Sequence, residues 1–290
     1  MDRLELFQQH RGRMFGIAYQ MLGSATDADE VLQEAWLRWQ SVDHQTVKEP
    51  AAFLAKVVTN LCLNQFTSAR ARRETYVGEW LPEPTNHQGP LDQLAQQESV
   101  SYALLLVLEK LTPAERAAYV LREAFAYSHR EVADLIGTTE ANARQLHSRA
   151  RKHVAADQRT ARVDPGKWRL LVERFLAAAQ HGDIAGLEKL LAADVVSRAD
   201  GGGKVMAARN PIHGRDRVAR YLIGTLTKFG AGITPYLGEV NGEPAIIAAA
   251  PDGMRGVIFI HFEGDLIASL EMVLNPDKLS RIEGLPGLDW

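Results

Sequence analysis

The chain has 290 residues, 46% of them hydrophobic and 24% charged, with a formal net charge of −3 at pH 7. That is room for two or three domains, each able to bury its own core. There are 19 basic and 20 acidic residues up to Arg162, and 14 and 16 after it, so neither half carries the bulk positive charge of a strong independent nucleic-acid binder. Cys62 is the only cysteine, which rules out an intrachain disulfide and a thiolate zinc cluster within one chain. No signal peptide opens the sequence and no apolar run approaches the roughly 20 residues of a membrane span, so a cytoplasmic chain is expected.

Helical periodicity fills residues 4 to 73. In SATDADEVLQEAWLRW, Ser24 and Thr26 are candidate caps, with Asp27 and Asp29 three residues on in capping-box positions. Leu32, Ala35, Trp36 and Trp39 share an inner stripe. Asp29, Glu30, Gln33 and Glu34 stay outside, on a face that simple solvation also explains. In PAAFLAKVVTNLCLNQFTSARARR, Phe53, Leu54, Val57, Val58 and Leu61 form the core stripe. Lys56, Asn60 and Asn64 recur at four-residue spacing on a polar face. Arg70, Arg72 and Arg73 close the helix with a cluster that suits a phosphate backbone. Asparagines followed by arginines suit reading bases and then clamping a strand; a solubilising surface is the other reading.

The segment from Gly78 through Trp80-Leu81-Pro82-Glu83-Pro84 to Pro90 is too punctuated for a helix. Helical periodicity resumes from about Leu91 to Val154. Within it, Leu111 to Val154 reads as three short helices, the last two joined by a tight turn at Gly137, the shape of a helix-turn-helix. Thr112 caps the first helix and Pro113 suits its first turn. Val120, Leu121 and Ala124 give it an apolar face, and Val132, Leu135 and Ile136 do the same for the next helix. Gly137 supplies a positive-φ stop, after which Thr138 or Thr139 caps the last helix. That helix carries Arg144, Gln145, Arg149, Arg151 and Lys152, side chains suited to base edges and phosphates. Taken alone, a helical hairpin with a solvated basic face competes with this reading.

Beyond Asp164 the character changes. Asp164 caps and Pro165 opens a helix with Trp168, Leu171, Val172, Phe175, Leu176 and Ala179 on one stripe. Asp183 starts a second helix ending near Leu191. Val195 and Val196 suit a strand, Gly201 to Gly203 a turn, and Lys204 to Ala208 its partner strand. Asp216 to Phe229 reads as a third helix. Apolar strands follow, separated by the hairpin signals Asn241-Gly242, Asp252-Gly253 and Glu263-Gly264-Asp265. Helices followed by a meander curled around them predict an α+β cone. Such cones often enclose a pocket, for which Asp194, His213 and His261 are the acid–base candidates, though no spacing joins them into a site. His213 and His261 also lack metal-ligand spacing.

Several of these stretches resemble one family. DADEVLQEAWLRW resembles the clamp-binding surface of region 2 in extracytoplasmic-function (ECF) sigma factors of bacterial RNA polymerase. FLAKVVTNLCLNQ resembles their helix that reads the promoter −10 element, and SHREVADLIGTTEANARQLHSRAR their region 4 helix-turn-helix that reads the −35 element. Trp80 to Pro84, Asp200-Gly201-Gly202-Gly203-Lys204 and Asn275-Pro276-Asp277-Lys278-Leu279 are similar to the WLPEP, DGGGK and NPDKL signatures of a subgroup carrying a fused SnoaL-like domain. One position departs from the family pattern: His147 stands where an apolar residue usually packs inward with Ala143 and Ala150.

The resemblance implies a multidomain fold. An all-α region 2 bundle spans 1–75, a linker with the WLPEP motif 76–95, an all-α region 4 helix-turn-helix 96–158, and an α+β SnoaL-like (NTF2-like) cone 159–290. It implies a promoter-specificity subunit and not an enzyme, working by binding and DNA distortion with no cofactor and no metal. The partners implied are the β′ clamp and β flap of the polymerase core and promoter DNA, with no membrane. Asp29, Glu30, Gln33 and Glu34 would dock on the clamp. Lys56, Asn60, Asn64, Arg70, Arg72 and Arg73 would approach the −10 element. Thr139, Arg144, Gln145 and Ser148 would face the −35 groove while Arg149, Arg151 and Lys152 hold phosphates. Trp80, Leu81, Pro82, Asp200, Lys204 and Asn275 to Leu279 would serve regulatory contacts, with linker and terminal motif meeting, and the cone leaves room for a small-molecule ligand. The reading from another class is a ligand-sensing or enzymatic SnoaL-like domain fused to a helical protein-interaction module.

Overall fold

Asp2 opens the first helix with a capping box to Glu5, and Gly23 stops it in the left-handed region at φ 67°. The computed structural model that shows this describes residues 2–43, 46–86, 100–157, 164–251 and 253–282, without the side chains of 67–74 and 254. The chain forms two compact units, one of 1–75 with 87–157 and one of 76–86 with 158–290.

In the first unit, α1 (Arg3–Leu22), α2 (Ala25–Ser41) and α3 (Pro50–Glu74) pack around Met14, Ile17, Met21, Leu54 and Val58. Trp39 is fully buried among them, and its indole N–H donates to the Arg3 carbonyl at 3.1 Å. Ser24, not Thr26, caps α2: its hydroxyl accepts from the Asp27 amide at 3.1 Å, which places Thr26 inside the first turn. Next come α4 (Tyr102–Leu108) and α5 (Pro113–Tyr119), the latter opened by a Thr112–Glu115 capping box. A π turn over Val120–Ala124 ends α5. Then α6 (His129–Ile136) and α7 (Glu140–Asp157) complete the helix-turn-helix about Gly137, at φ 69°. Thr139 Oγ1 caps α7 by accepting from the Asn142 amide at 3.2 Å.

The two helical halves also meet each other, α3 packing against α6. Arg116, 1% exposed, donates to the Met21 carbonyl at 2.7 Å and to Glu109 at 2.6 Å, with its guanidinium 5.3 Å from the Phe66 ring centroid. Arg13 donates to the Phe125 carbonyl at 2.7 Å and lies over the Phe125 and Tyr127 rings.

The second unit is built on a six-stranded sheet. Its elements are α8 (Pro165–Gln180), α9 (Ile184–Leu190), β1 (Leu191–Asp200), β2 (Ile212–His213), α10 (Arg215–Phe229), β3 (Thr234–Val240), β4 (Glu243–Ala250), β5 (Gly253–Glu263) and β6 (Leu266–Val273). The strand order is β2-β1-β6-β5-β4-β3, with β1 and β6 parallel and the other pairs antiparallel. Trp168, Val172, Phe175, Val218 and Leu222 of the helices join Val195, Ile246, Ile260 and Leu270 of the sheet in one core. Asn241 and Gly242 both take positive φ, the turn that a two-residue hairpin of this hand requires.

One expected strand is absent. Lys204 to Ala208 do not pair with β1; Ile212–His213 do. The amides of Lys204 and Val205 both donate to the Gly201 carbonyl, at 3.0 and 3.2 Å, which curls the chain off the sheet directly after the glycines.

Because strand residues alternate, His261 and Glu271 face away from the core that takes Ile260 and Leu270. His261 Nδ1 lies 2.8 Å from Glu271 and its Nε2 faces Glu243 at 3.5 Å, while Arg198 reaches Glu271 at 3.2 Å. Burial alone would depress the imidazole, but the carboxylates of Glu271 and Glu243 outweigh it and push His261 up to about 10. A folded pKa above the unfolded value of 6.5 stabilises fully below pH 6.5, and that contribution is lost as pH rises toward 10. Cys62, raised by burial, adds a slope of the same sign only above its ordinary 9.0. Between pH 7 and about 9 the stability of the second unit should therefore fall with pH, and His261→Gln should flatten the fall. Denaturant unfolding across that window checks it; equal slopes in both proteins would refute the ion-pair account.

Candidate nucleic-acid interface

On α2, Glu30, Gln33 and Glu34 are exposed, with Glu34 in an i,i+4 pair to Arg38. Asp29 is half-buried and tied to Arg11 at 3.1 Å. The exposed three form a continuous acidic and amide face, while Asp29 sits at its edge. On α3, Lys56 and Asn64 are exposed and Asn60 is half-buried, one helix face at four-residue spacing. The side chains of Arg70, Arg72 and Arg73 lie outside the described residues.

Helix α7 divides the predicted readers. Arg144, Ser148, Arg151 and Lys152 line a cleft of about 520 Å³ together with His129 and His147. Thr139 and Gln145 are exposed beside it. Arg144 pairs with Glu140 one turn back at 2.5 Å; both are exposed, so solvent screens the pair and leaves the guanidinium available. Arg149 points elsewhere. It donates to Glu115 at 2.9 Å, the same buried carboxylate that closes the α5 capping box. Glu115 is held below its ordinary range: desolvation works the other way, but hydrogen bonds from Thr112 and Arg149 prevail.

The linker residues Tyr76–Asn86 fold with the second unit. Their anchor is the fully buried Asp200 carboxylate. Its Oδ2 accepts from the Leu81 amide at 2.9 Å and from Lys278 Nζ at 2.7 Å; its Oδ1 accepts from the Tyr76 hydroxyl at 2.6 Å and the Gly202 amide at 3.1 Å. Lys278 also donates to the Leu81 carbonyl at 2.5 Å, and its ammonium lies 4.0 Å from the Trp80 and 5.2 Å from the Tyr76 ring centroids. Asn275 donates to the Tyr76 hydroxyl at 2.9 Å. Burial and then Asp200 push the Tyr76 phenol above its ordinary range, so it stays a donor. Farther along, Thr85 and Asn241 exchange hydrogen bonds of 3.0 and 3.1 Å, and Arg281 faces Glu83 at 3.5 Å. Pro82 is buried in this strap, Leu279 is buried beside Lys278, and Lys204 pairs with Asp277 on the surface at 2.6 Å.

The glycines of Asp200-Gly201-Gly202-Gly203-Lys204 are explained by the same packing. Gly202 and Gly203 take φ of 59° and 72°. A Cβ on Gly202 would also run into the Asn275 amide, and one on Gly201 into the Val205 carbonyl.

Asp194, His213 and His261 are not brought together: Asp194 and His213 are exposed on β1 and β2, and His261 is half-buried on β5 beyond β6. Among the described residues no cluster of three or more His, Cys, Asp or Glu side chains forms a metal site, and no helix is long and apolar enough to cross a membrane. Sequence reasoning missed Arg116, Tyr76, Thr85, Asn241, His129 and Glu123. Only the odd placement of His147 signalled any of them.

The Sigma-70 region 2 family model matches residues 6–72, and the Sigma-70 region 4 family model residues 101–154. The chain is 37% identical over 288 residues to ECF RNA polymerase sigma factor SigJ of Mycobacterium tuberculosis, covering 94% of this chain and 92% of the relative. It is 28% identical to the probable ECF RNA polymerase sigma factor SigI of the same species, covering 94% and 93%. The crystal structure of M. tuberculosis SigJ superposes with a TM-score of 0.75 at 33% identity, covering 96% of this chain and 99% of that one.

The clasp around Asp200 makes a quantitative prediction. Lys278→Met keeps the aliphatic stem but leaves a buried carboxylate without its cation, at a cost of about 3 kcal/mol. Hydrogen exchange at the Leu81 amide should quicken by about a hundredfold. Adding Asp200→Asn should recover part of the loss, as a double-mutant cycle for a direct pair requires. Unchanged Leu81 protection in Lys278→Met would show that the strap is held by its apolar contacts alone.

Proposed function

The chain belongs to the extracytoplasmic-function sigma factors of RNA polymerase, and from that premise we propose how it engages polymerase and promoter and how its fused domain acts on both. As a member it binds the polymerase core and directs promoter recognition and initiation. Its place of action is then the cytoplasm, where core and chromosome are. Glu30, Gln33 and Glu34, with Asp29 at the edge, dock on the β′ clamp, while region 4 seats on the β flap. Lys56, Asn60 and Asn64 face the melted −10 strand, where flipped bases expose edges hidden in duplex DNA. Arg144, Gln145 and Ser148 read the −35 groove from Thr139 onward, and Arg151 and Lys152 hold phosphates. Arg149, engaged with Glu115, supports the helix-turn-helix instead.

The observation that carries the regulatory part is the packing of α3 against α6 within one unit. Elements named for positions 25 base pairs apart lie roughly 85 Å apart along B-DNA, at about 3.4 Å per base pair. With α3 held against the helix-turn-helix through α6, the readers on α3 and α7 cannot reach both. The form described is therefore closed, and core binding opens it by separating Arg116 from Met21 and Arg13 from Phe125. How far it opens depends on the linker. Tyr76–Asn86 is eleven residues, roughly 35–40 Å of extended chain, and the clasp at Asp200 and Lys278 withdraws that length from the tether. The fused domain thus sets promoter output by holding or releasing linker.

Two measurements test this. Glu30→Lys with Glu34→Lys should abolish core binding without unfolding, since both side chains are exposed; normal core affinity in the folded variant would remove α2 from the interface. Donor and acceptor dyes on α3 and α7 should move apart when core is added, and a chain ending before Asn275 should change both that separation and promoter output while still binding core. A separation that core leaves untouched would refute the closed form. Unchanged output in the truncated chain would leave the fused domain without a regulatory role.

A further inference from the structure

His147 belongs to a relay that promoter reading, as set out above, does not use. It is 8% exposed, between Ala143 and Ala150 on the inner side of α7. Its Nε2 lies 2.6 Å from Glu123 Oε1, and its Nδ1 lies 3.2 Å from Nε2 of His129, the first residue of α6. Glu123 sits in the π turn, a helical irregularity that recurs at functional sites. Both histidines line the cleft shared with Arg144, Ser148, Arg151 and Lys152.

We propose that this cleft is a proton-coupled subsite for a DNA backbone phosphate, in which the Glu123–His147–His129 relay takes up one proton as the phosphate enters. The proposal rests on the assignment of α7 to the −35 element.

The hydrogen-bond chemistry limits the relay to one proton. Glu123 only accepts, so His147 donates from Nε2 and, when neutral, has a bare Nδ1. His129 then donates to it from Nε2, which leaves the outer Nδ1 of His129 as a lone pair that repels an anion. One added proton gives that outer Nδ1 a hydrogen whichever ring carries the charge, because the bond between the rings needs a single hydrogen. The lone pair becomes a donor for phosphate. A second proton would set two N–H groups head to head at 3.2 Å. Uptake is therefore one proton, with no net charge change once the phosphate's negative charge is counted.

The surroundings explain why the ligand triggers the uptake. Burial first, then His147, Arg122 and Arg144, hold His129 below its ordinary range, with Glu140 opposing them. Arg151 and Lys152 line the same cleft, and the Tyr119 ring lies 6.5 Å from His147. A phosphate cancels the cationic repulsion, and the relay then charges. The cluster does not favour a metal, because the five residues beside the two imidazoles in the cleft include three cations and no carboxylate, and the Glu123 carboxylate is engaged by His147 Nε2.

The test uses holoenzyme formed from the full chain and polymerase core, with a −35 duplex followed by fluorescence anisotropy between about pH 6 and pH 8. Wild type should bind more tightly as pH falls, by up to tenfold per pH unit for one coupled proton. His129→Gln should flatten that dependence. Glu123→Gln keeps a hydrogen-bond acceptor but loses the charge, so it should move the dependence to lower pH. Because Glu123 is exposed, this second variant avoids the risk that a His147 substitution merely disturbs packing. A wild-type affinity independent of pH, or a slope that survives in His129→Gln, overturns the proposal. Binding that is indifferent to the −35 sequence at every pH, in wild type as in Arg144→Ala, overturns the −35 assignment itself and the proposal with it.

Discussion

A carboxylate taken out of water must be given donors for its lone pairs, or it costs several kcal/mol. Asp200 has no exposed surface, and its donors come from four places in the chain: Tyr76, Leu81, Gly202 and Lys278. Meeting that one requirement fixes much else in the second unit. The chain has to turn back at once to bring the Gly202 amide under the carboxylate, which demands glycines. Asn275 has to approach the glycine backbone to reach Tyr76. The Pro276–Lys278 turn has to present Lys278 inward, where Trp80 and Tyr76 cover the ammonium. Three sequence motifs are thus the parts of a single solvation shell around one charge.

Features fixed by local chemistry are legible in the sequence. Caps and turns are local: Asp164-Pro165, Thr112 with Glu115, Gly137 and Asn241-Gly242 sit where their own chemistry places them. The polar faces of α2 and α3 follow from helical periodicity, and the exposed positions agree with it. What escaped depends on partners distant in sequence. The strand expected at Lys204 to Ala208 is the local exception, lost to two amides converging on the Gly201 carbonyl three and four residues back. Arg149 is indistinguishable from Arg151 in composition and spacing, and only the position of Glu115 on α5 decides that one is engaged and the other lines the cleft. Nothing local in LTPAERAAY says that Arg116 reaches a carbonyl on α1.

The helical halves of the first unit share a set of guanidinium contacts, to the carbonyls of Met21 and Phe125 and to the faces of Phe66, Phe125 and Tyr127. Water and a partner surface can replace each of these, since a carbonyl or a guanidinium is well solvated when released. Net hydrogen-bond contributions of about 1 kcal/mol apiece, and 1.5–3 where a charge takes part, are of the size a docking partner can offset. An interface of the same extent built from leucines would lose apolar burial on opening with nothing in return. The composition of this contact suits a joint that closes in the free chain and opens on a partner.

Only Thr75 separates the end of α3 from Tyr76, the first residue of the strap. If α3 meets the −10 strand as proposed, its movement pulls on the residue whose hydroxyl donates to Asp200. Coupling through so short a connection obeys linkage: if the clasp lowers the affinity of the chain for core and promoter by some factor, core and promoter weaken the clasp by the same factor. A coupling of about 1–3 kcal/mol is typical between such sites, and breaking a buried ion pair costs about 3–5 kcal/mol, enough to supply it. The fused domain needs no ligand to act in this way. Any ligand, or any partner that binds the released strap better than the held one, would shift the balance only by its difference in affinity for the two states, and in the direction of the state it prefers.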